Sequence, residues 1–163
     1  MSKRHQIEAA ALASKLESLR RRSGLALDID GNWWHDGTPF EHSGIIAALN
    51  KGIDLHPESG EPIVRVGKQW CYIEAAGTTP FLAMRLHIDG TGHIALKLNT
   101  NQSTNTIGAS WQLRFGALHC LLDDDRLVRL SRHAQAQIAD YLTETEDGYC
   151  IVTAAGEWLI EED

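Results

Sequence analysis

The chain contains an internal repeat, which restricts its fold more strongly than its composition does. When the sequence is shifted by 88 positions against itself, residues 25–75 align with residues 113–163 without a gap. Ten of the 51 aligned positions are identical, whereas average composition would give about three by chance. Ser43 aligns with Ser131, and Trp70 aligns with Trp158. The repeat predicts two copies of one structural motif.

An alternative alignment, with a shift of 79 positions, also exists. It places CYIEAAG (71–77) on CIVTAAG (150–156) but loses the correspondence elsewhere. The shift of 88 also aligns changes of residue class, because the turn at 35–37 falls on the acidic run 123–125. We therefore adopt the longer shift and keep the shorter one as the alternative.

The N-terminal segment predicts an amphipathic helix over residues 3–22. We expect four apolar residues to share one stripe at helical spacing: Ile7, Leu12, Leu16 and Leu19. Three arginines, 20–22, close the helix, and Gly24 is a suitable cap. The arginines are either a site for an anion or a solvated helix end.

Within the first copy, short strands precede a helix and a hairpin follows it. Alternating apolar residues predict a strand from Leu25, with tight turns at 30–31 and 36–37. The spacing then changes to that of a helix over 43–52, with Ser43 as its N-cap. Residues 54–62 are predicted as a loop, and strands 63–66 and 70–74 turn at 67–68. The second copy repeats this order, with its helix over 131–142.

A long β-hairpin is predicted between the two copies, over residues 81–99. Pairing Ile88 with Ile94 across the turn 90–92 places seven large apolar residues on one face. These are Leu82, Met84, Leu86, Ile88, Ile94, Leu96 and Leu98. Such a face must be buried. We therefore expect the hairpin to join both copies into one continuous sheet covered by the two helices.

These elements predict an α+β fold with two repeated strand-rich motifs, each with one helix, joined by a long β-hairpin and preceded by an N-terminal helix. The expected divisions are an N-terminal helix (1–24), a first repeat (25–76), a linking hairpin and polar loop (77–112) and a second repeat (113–163). We expect these four parts to form one compact unit.

Charge and cysteine content restrict the partners and the cellular compartment. The formal net charge of −7 argues against binding nucleic acid or an anionic membrane over a broad surface. The N-terminus lacks the apolar region of a signal peptide. The three cysteines, 71, 120 and 150, are odd in number and have no CxxC spacing, which predicts reduced thiols without a disulfide. These features predict a cytoplasmic protein.

Candidate site residues are few. Trp33, Trp34, His35 and Asp36 could line a small-molecule site, because such sites combine aromatic rings with a few polar groups. The alternative is a tight turn packed by its own aromatic rings. The sequence contains no phosphate-binding glycine loop, HExxH motif or GxSxG motif. It therefore predicts neither catalytic residues nor a cofactor.

Two segments could bind a metal ion. His87, Asp89 and His93 lie on the polar side of the predicted hairpin and could supply two imidazoles and a carboxylate. The acidic run 123–125 could bind a hard cation, but it lacks the alternating ligands of an EF-hand. An exposed sheet face and a solvated turn are the alternatives.

Four segments resemble a bacterial family known as domain of unknown function 1285. They are IDGNWWHDGTPF (29–40), IVRVGKQWCYIE followed by TPF (63–81), LKLNTN (96–101) and WQLRF (111–115). The resemblance implies two repeated α+β motifs, no established activity and a conjectured role in signal transduction. Gly77-Thr78-Thr79 replace the acidic pair that usually precedes Pro-Phe in that family, and a basic helix stands where a Trp-x-Pro segment is often found. No catalytic residue is carried over.

Three functions follow as hypotheses. The first is a non-enzymatic cytoplasmic module that binds a small molecule or a protein partner. The second is a small enzyme that uses His35 and Asp36, or His87 and His93. The third is a homo-oligomeric interaction protein, for which a homodimer is the simplest assembly.

Overall fold

The protein combines helices with mixed β-sheets, as a computed structural model of the chain shows. The structure describes residues 2–162, so that Met1 and Asp163, the ends of the predicted first and last divisions, lie outside it. Its α-helices are α1 (Lys3–Arg21), α2 (Ser43–Gly52) and α3 (Arg132–Ile138), and a 3-10 helix, Ala139–Tyr141, follows α3. The predicted α+β class is confirmed.

The described chain divides into two compact units. The first ends at Gly77 and the second begins at Thr78. The strands of the first unit are β1 (Leu25–Leu27), β2 (Trp33–His35), β3 (Thr38–Pro39), β4 (Ile53–Leu55), β5 (Pro62–Val66), β6 (Gln69–Tyr72) and β7 (Glu74–Ala75). Those of the second are β8 (Leu82–Ile88), β9 (Ile94–Leu98), β10 (Ser103–Asn105), β11 (Ser110–Arg114), β12 (Ala117–Leu121), β13 (Leu127–Leu130), β14 (Leu142–Thr145), β15 (Gly148–Thr153) and β16 (Gly156–Glu162).

The first unit contains two sheets, in the orders β3-β2-β1-β7 and β4-β5-β6. The chain passes from one sheet to the other at Ile73, because β6 pairs with β5 whereas β7 pairs in parallel with β1. The buried core of this unit is apolar and includes Leu27, Trp33, Leu49, Ile53, Ile63 and Val64. Helix α2 packs closely on β5, since a Cβ atom on Gly52 would overlap the carbonyl oxygen of Arg65.

The second unit contains a nine-stranded sheet among the described residues, in the order β10-β9-β8-β13-β12-β11-β16-β15-β14. Strand β8 runs parallel to β13, and β11 runs parallel to β16. Helix α3 contacts β8 and β13. Its Ala134 and Ile138 are buried with the central strands.

The described strands of the first copy divide between two sheets, in the orders β3-β2-β1-β7 and β4-β5-β6, whereas those of the second copy follow one another in one sheet, as β13-β12-β11-β16-β15-β14. Trp70 lies in β6 and Trp158 in β16, whereas Cys71 and Cys150, which the shorter shift aligned, lie in β6 and β15. Superposition of the copies strand for strand stays a prediction.

The predicted sheet through both copies is wrong. Hairpin β8–β9 has the expected pairing of Ile88 with Ile94, but both strands belong to the sheet of the second unit. A register shift between Ala83 and Arg85 pairs Ala83, rather than Met84, with Leu98. Helix α3 contacts β8, and the hairpin residues Leu82, Leu86, Ile94, Leu96 and Leu98 are buried. The four-part division and a single cooperative unit stay predictions.

Several element ends differ from those expected. His42, and not Ser43, caps α2, because its Nδ1 accepts a hydrogen bond from the Ile45 amide. Helix α3 stops earlier than predicted, and a strand missed by the sequence reading follows each of these helices, β4 and β14. These strands complete the edges of their sheets, which local periodicity does not reveal. Strand β10 also lies inside the predicted polar loop 99–110.

Helix α1 forms where expected, but its apolar residues lie in solvent. None of the residues of α1 is buried. Leu12, Leu16 and Leu19 share one face, whereas Ile7 lies about 140° around the helix from Leu12, since successive residues turn by about 100°. The predicted single stripe of four residues is therefore wrong for Ile7. Within residues 2–162, no helix has the length and apolar character needed to cross a membrane.

Candidate functional site

The four aromatic and polar residues predicted to line a small-molecule site separate into two groups. The indole of Trp33 is 2% exposed and donates a hydrogen bond to Asn50 Oδ1 at 2.7 Å, so that it belongs to the core. Trp34 and Asp36 line an open cavity of about 810 Å³ in the first unit. His35 is more than half exposed and does not line that cavity. We call this space the first-unit cavity.

The loop before β2 orients Trp34. The Asp28 carboxylate accepts hydrogen bonds from the backbone amides of Asp30 and Asn32, and from the Trp34 indole at 2.9 Å. Burial favours the protonated form of Asp28, but the hydrogen bonds, that of Trp34 foremost, outweigh it and hold the pKa of this carboxyl below its usual value. Asp28 therefore holds the indole that forms one wall of the cavity.

Asp36 is placed by the end of the N-terminal helix. Its backbone amide donates to the carbonyl of Gly24 at 2.9 Å. Gly24 has a φ of +71°, and a Cβ atom there would overlap the Asp36 carboxylate. The left-handed backbone favours glycine at this position, and the exposed Asp36 side chain occupies the space that a Cβ atom would take. Asp36 also lies beside His35, with 3.4 Å between Oδ2 and Nε2, and both side chains are exposed.

The three arginines at the end of α1, residues 20–22, have two roles. Some of them attach the helix to β6, and some of them line the cavity. Arg20 lies over the ring of Trp70, 4.1 Å from its centroid. Arg21 lies over Tyr72 at the same distance and forms a two-pronged hydrogen bond with Glu61. Cation–π contacts and ion pairs of this kind attach the helix to β6. These two arginines are therefore occupied, which neither sequence hypothesis for the run anticipated.

Arg22 differs from its two neighbours. Its side chain is exposed and lines the first-unit cavity, and it has no hydrogen bond or ion pair within residues 2–162. Across the described residues the same holds for Glu74, which also lines the cavity. The walls include Tyr72, whose backbone carbonyl accepts a hydrogen bond from Ser23 Oγ at 2.6 Å. The cavity thus presents an available cation and an available carboxylate.

In the described structure, the residues proposed from the hairpin as metal ligands, His87, Asp89 and His93, are not grouped as a set of three. The Asp89 carboxylate accepts hydrogen bonds from the amides of Thr91 and His93 and from the Thr91 hydroxyl, so that it shapes the turn. These bonds, led by that of the hydroxyl, lower the pKa of Asp89. No group of three His, Cys, Asp or Glu side chains among the described residues is placed to bind a metal ion. In the acidic run, Asp124 accepts hydrogen bonds from the amide and side chain of Arg126.

Two of the segments on which the family resemblance rests, 79–81 and 96–101, meet at the start of β8 and stabilise the sheet. The Asn99 side chain accepts a hydrogen bond from the Leu82 amide at 3.0 Å and donates one to the Pro80 carbonyl at 2.9 Å. The Thr79 hydroxyl donates to the carbonyl of Leu127 at 2.7 Å. These side chains are buried. Their role in this structure is to connect strands.

The three cysteines are free thiols, and burial raises the pKa of two of them. Burial raises the pKa of Cys120 to about 12. Burial also raises the pKa of Cys71, against a smaller opposing effect of a hydrogen bond with Ser23. Because the thiolate is the nucleophile, a raised pKa suppresses reactivity at neutral pH.

Sequence reasoning named Trp34 and Asp36 of the cavity wall and offered the arginine run 20–22 as an anion site, but it did not indicate Tyr72 or Glu74. Arg22 belongs to the end of α1, whereas Tyr72 and Glu74 both belong to one later segment, 72–74. The available signal was the alternation of Trp70 and Tyr72 on β6, which places both rings on one face beside a helix that ends in arginines.

Solved structures share this fold. The chain is similar to a DUF1285 family protein from Silicibacter pomeroyi DSS-3, with a TM-score of 0.65 and 13% identity, over 83% of this chain and 78% of that one. It is also similar to a DUF1285 family protein from Shewanella baltica OS155, with a TM-score of 0.52 and 11% identity, over 72% of this chain and 91% of that one. No protein-family model and no curated protein matches the sequence. The predicted resemblance is confirmed for the fold, which is DUF1285-like.

Proposed function

We propose that the protein is a non-enzymatic module that binds a small polar ligand with an anionic group in the first-unit cavity. The observation that carries the proposal is the position of Arg22. This cation lines a cavity of about 810 Å³ together with Trp34, and it has no hydrogen-bond or ion-pair partner in the described part of the chain.

The dimensions and chemistry of the cavity support a small ligand. Its volume falls within the range of ligand pockets, about 300–1,000 Å³. Its walls are more polar than apolar, which disfavours a lipid. The half-buried indole of Trp34 offers a flat surface in an orientation held by Asp28, and Glu74 offers a carboxylate for a cationic or hydroxyl group. A metabolite with an anionic end and a planar or polar body matches these groups.

Solvent exposure disfavours the enzyme hypothesis as the primary function. The side chains of His35 and Asp36 are 54% and 75% exposed, so that water screens the pair. His93 is also largely exposed, and Asp89 is used in the turn. Catalytic acids and bases are usually tuned by burial and by neighbouring charges. Binding therefore accounts for the cavity with fewer assumptions than catalysis does.

A ligand in this cavity would act on the end of α1. Arg21 and Arg22 both line the cavity, and Arg21 also holds α1 against β6. Ligand binding can thus alter how firmly the helix is attached, which supports a role in signal transduction as part of the proposal. The three free thiols support a reducing, cytoplasmic location.

The experiment is a thermal-shift screen with carboxylates, phosphates and amino acids, followed by titration calorimetry of each compound that stabilises the protein. Replacing Arg22 by Gln removes the available cation. Since a hydrogen bond to a charged group contributes about 1.5–3 kcal/mol, we expect the affinity to fall by about 10–100-fold.

Lys68→Gln is the matched control, because Lys68 is an exposed cation in the β5–β6 turn and does not line the cavity. The affinity of the Lys68→Gln variant for each compound should equal that of the wild type. The proposal is wrong if no compound stabilises the protein, or if the Arg22→Gln variant binds each of them as tightly as the wild type does.

A further inference from the structure

Helix α1 carries an apolar face that the described chain leaves uncovered. Leu12, Leu16 and Leu19 follow one another at intervals of four and three residues, so that they share one face. Their side chains are 60%, 43% and 66% exposed. Helices in proteins are stabilised mainly by packing an amphipathic face against other elements. The arginines at its end attach α1 to β6, but its leucine face stays open to a partner surface.

The charge of α1 restricts what this surface can be. The helix contains five basic and two acidic residues, and Arg22 follows directly. Pairing with α1 of another copy would bring two basic helices together, which electrostatic repulsion opposes. Lys15 lies next to the leucine face and is exposed. A suitable partner surface is therefore apolar with an acidic rim.

The second unit presents such a surface. A cleft of about 240 Å³, almost entirely apolar, opens beside α3. Its apolar lining consists of Leu113, Leu118, Ile138, Leu142, Tyr149 and Ile160. Leu113, Leu142 and Tyr149 are 36%, 38% and 47% exposed. These half-exposed side chains form an apolar surface that continues outside the cleft.

Acidic residues border this cleft. Glu162 lines it and pairs with Leu113 across β16 and β11. Glu144 pairs with Tyr149 across β14 and β15. Cross-strand partners project from the same face of a sheet, so that both carboxylates lie on the face of the cleft. Its lining contains no basic side chain, and residues 78–162 contain eleven acidic and six basic residues.

We propose that the apolar cleft of the second unit binds helix α1 of a second copy of the chain. The leucine face of α1 enters the cleft, and Lys15 meets the acidic rim formed by Glu144 and Glu162. Reciprocal exchange of the two helices closes a two-fold dimer with two equal contacts, as the symmetry of most homodimers requires. The interface does not require a ligand in the first-unit cavity, so that it can be tested without one.

The test uses one substitution on each side of the contact, measured by sedimentation equilibrium of the full chain. Leu16→Asp alters the helix and Leu142→Asp alters the cleft, and both side chains are exposed enough that the fold should tolerate the change. The wild type should dimerise. Each variant alone should dissociate, with a dissociation constant at least about tenfold higher, since central apolar contacts dominate such interfaces.

An equimolar mixture of the two variants separates this interface from others. A dimer of one Leu16→Asp chain and one Leu142→Asp chain contains one contact in which both the helix and the cleft are intact. Mixing should therefore restore association in part. Ile7→Asp is the matched control, because Ile7 is 65% exposed on another face of the same helix. Its association should equal that of the wild type.

Three outcomes would overturn the proposal. A wild type that stays monomeric at all concentrations shows that α1 does not bind a second copy. A Leu142→Asp variant that associates like the wild type shows that the cleft is not used. A mixture that stays monomeric shows that helix and cleft are not each other's partners.

Discussion

The guanidinium of Arg21 lies over the ring of Tyr72, 4.1 Å from the ring centroid. The same group donates hydrogen bonds to both carboxylate oxygens of Glu61, and its Nε donates to Glu17 within the helix. One side chain thus joins α1 to β6 and to the loop before β5. Arg21 thus has a structural role, and its contacts position the end of α1 so that Arg22 lines the first-unit cavity.

We expect Arg21→Ala to loosen α1 without unfolding the first unit. The substitution removes the ring contact and the Glu61 pair together, whereas β5 and β6 keep their backbone pairing. Hydrogen exchange should show a several-fold loss of protection in the amides of α1 and little change in β5 and β6. Arg4→Ala is the control, since it removes only an exposed ion pair with Glu8 at the far end of the helix. Unchanged protection in α1 would show that other contacts attach it.

The attachment of α1 should weaken in acid. The hydrogen bond from Arg21 holds the pKa of Glu61 below its usual value of 4.5. A carboxyl with a lowered folded-state pKa contributes stability that is present above 4.5 and is lost as the pH falls through the lowered value. The protection factors of α1 should therefore decrease over that interval. In the Glu61→Gln variant, the attachment of α1 should be weaker at neutral pH, and the decrease in protection in acid should be absent. If the protection factors of this variant depend on pH as those of the wild type do, Glu61 is not the group responsible.

Gly52→Ala should destabilise the first unit by about 1–3 kcal/mol, the usual cost of overpacking. The added Cβ would overlap the carbonyl oxygen of Arg65, which is backbone and cannot rotate away. Urea denaturation gives the change in the free energy of unfolding. Gly44→Ala in the same helix is the control, because its Cβ would meet only the His42 side chain, at 3.0 Å. That change should destabilise the unit less than Gly52→Ala does, because the His42 imidazole that caps α2 must shift by only a few tenths of an ångström. Equal effects of both substitutions would argue against the close packing of α2 on β5.

Asn99→Ala should destabilise the second unit by about 2–4 kcal/mol, because the buried Leu82 amide and Pro80 carbonyl both lose their partner. Thermal unfolding followed by circular dichroism measures the effect. Ser103→Ala, at an exposed position in β10, should change the free energy of unfolding by less than about 0.5 kcal/mol. A small effect of Asn99→Ala would show that water replaces both bonds.

Local patterns determined much of the secondary structure. Helical spacing predicted α2 over 43–52, and the turn at 67–68 separates β5 from β6 as expected. The pairing of Ile88 with Ile94 followed from keeping apolar side chains on one face. The alternation of Leu82 and Met84 failed to predict the register shift beside them, because a β-bulge depends on the partner strand.

The candidate site was predictable only in part. Trp34 and Asp36 were recognisable because aromatic and acidic residues beside a tight turn are typical of binding sites. Trp33 is next to Trp34 in the chain, but the alternation of a strand directs it into the core, where Asn50 accepts its hydrogen bond. Which of the two indoles faces the cavity depends on the position of α2, and a local pattern does not contain that information.

The sequence by itself determined the α+β class, the positions of most turns and the register of the hairpin tip, because these depend on residues that are close in the chain. Only the tertiary structure decided that β8 pairs with β13 and that β7 pairs with β1. It also decided that Arg20 and Arg21 lie on Trp70 and Tyr72, which leaves Arg22 at the cavity. The physical reason for the first is that parallel strands pair through backbone groups, which are alike in every residue. The reason for the second is that the contacts of Arg20 and Arg21 with the rings join segments about fifty positions apart. A local pattern of side chains therefore does not say which segment is the partner in either interaction.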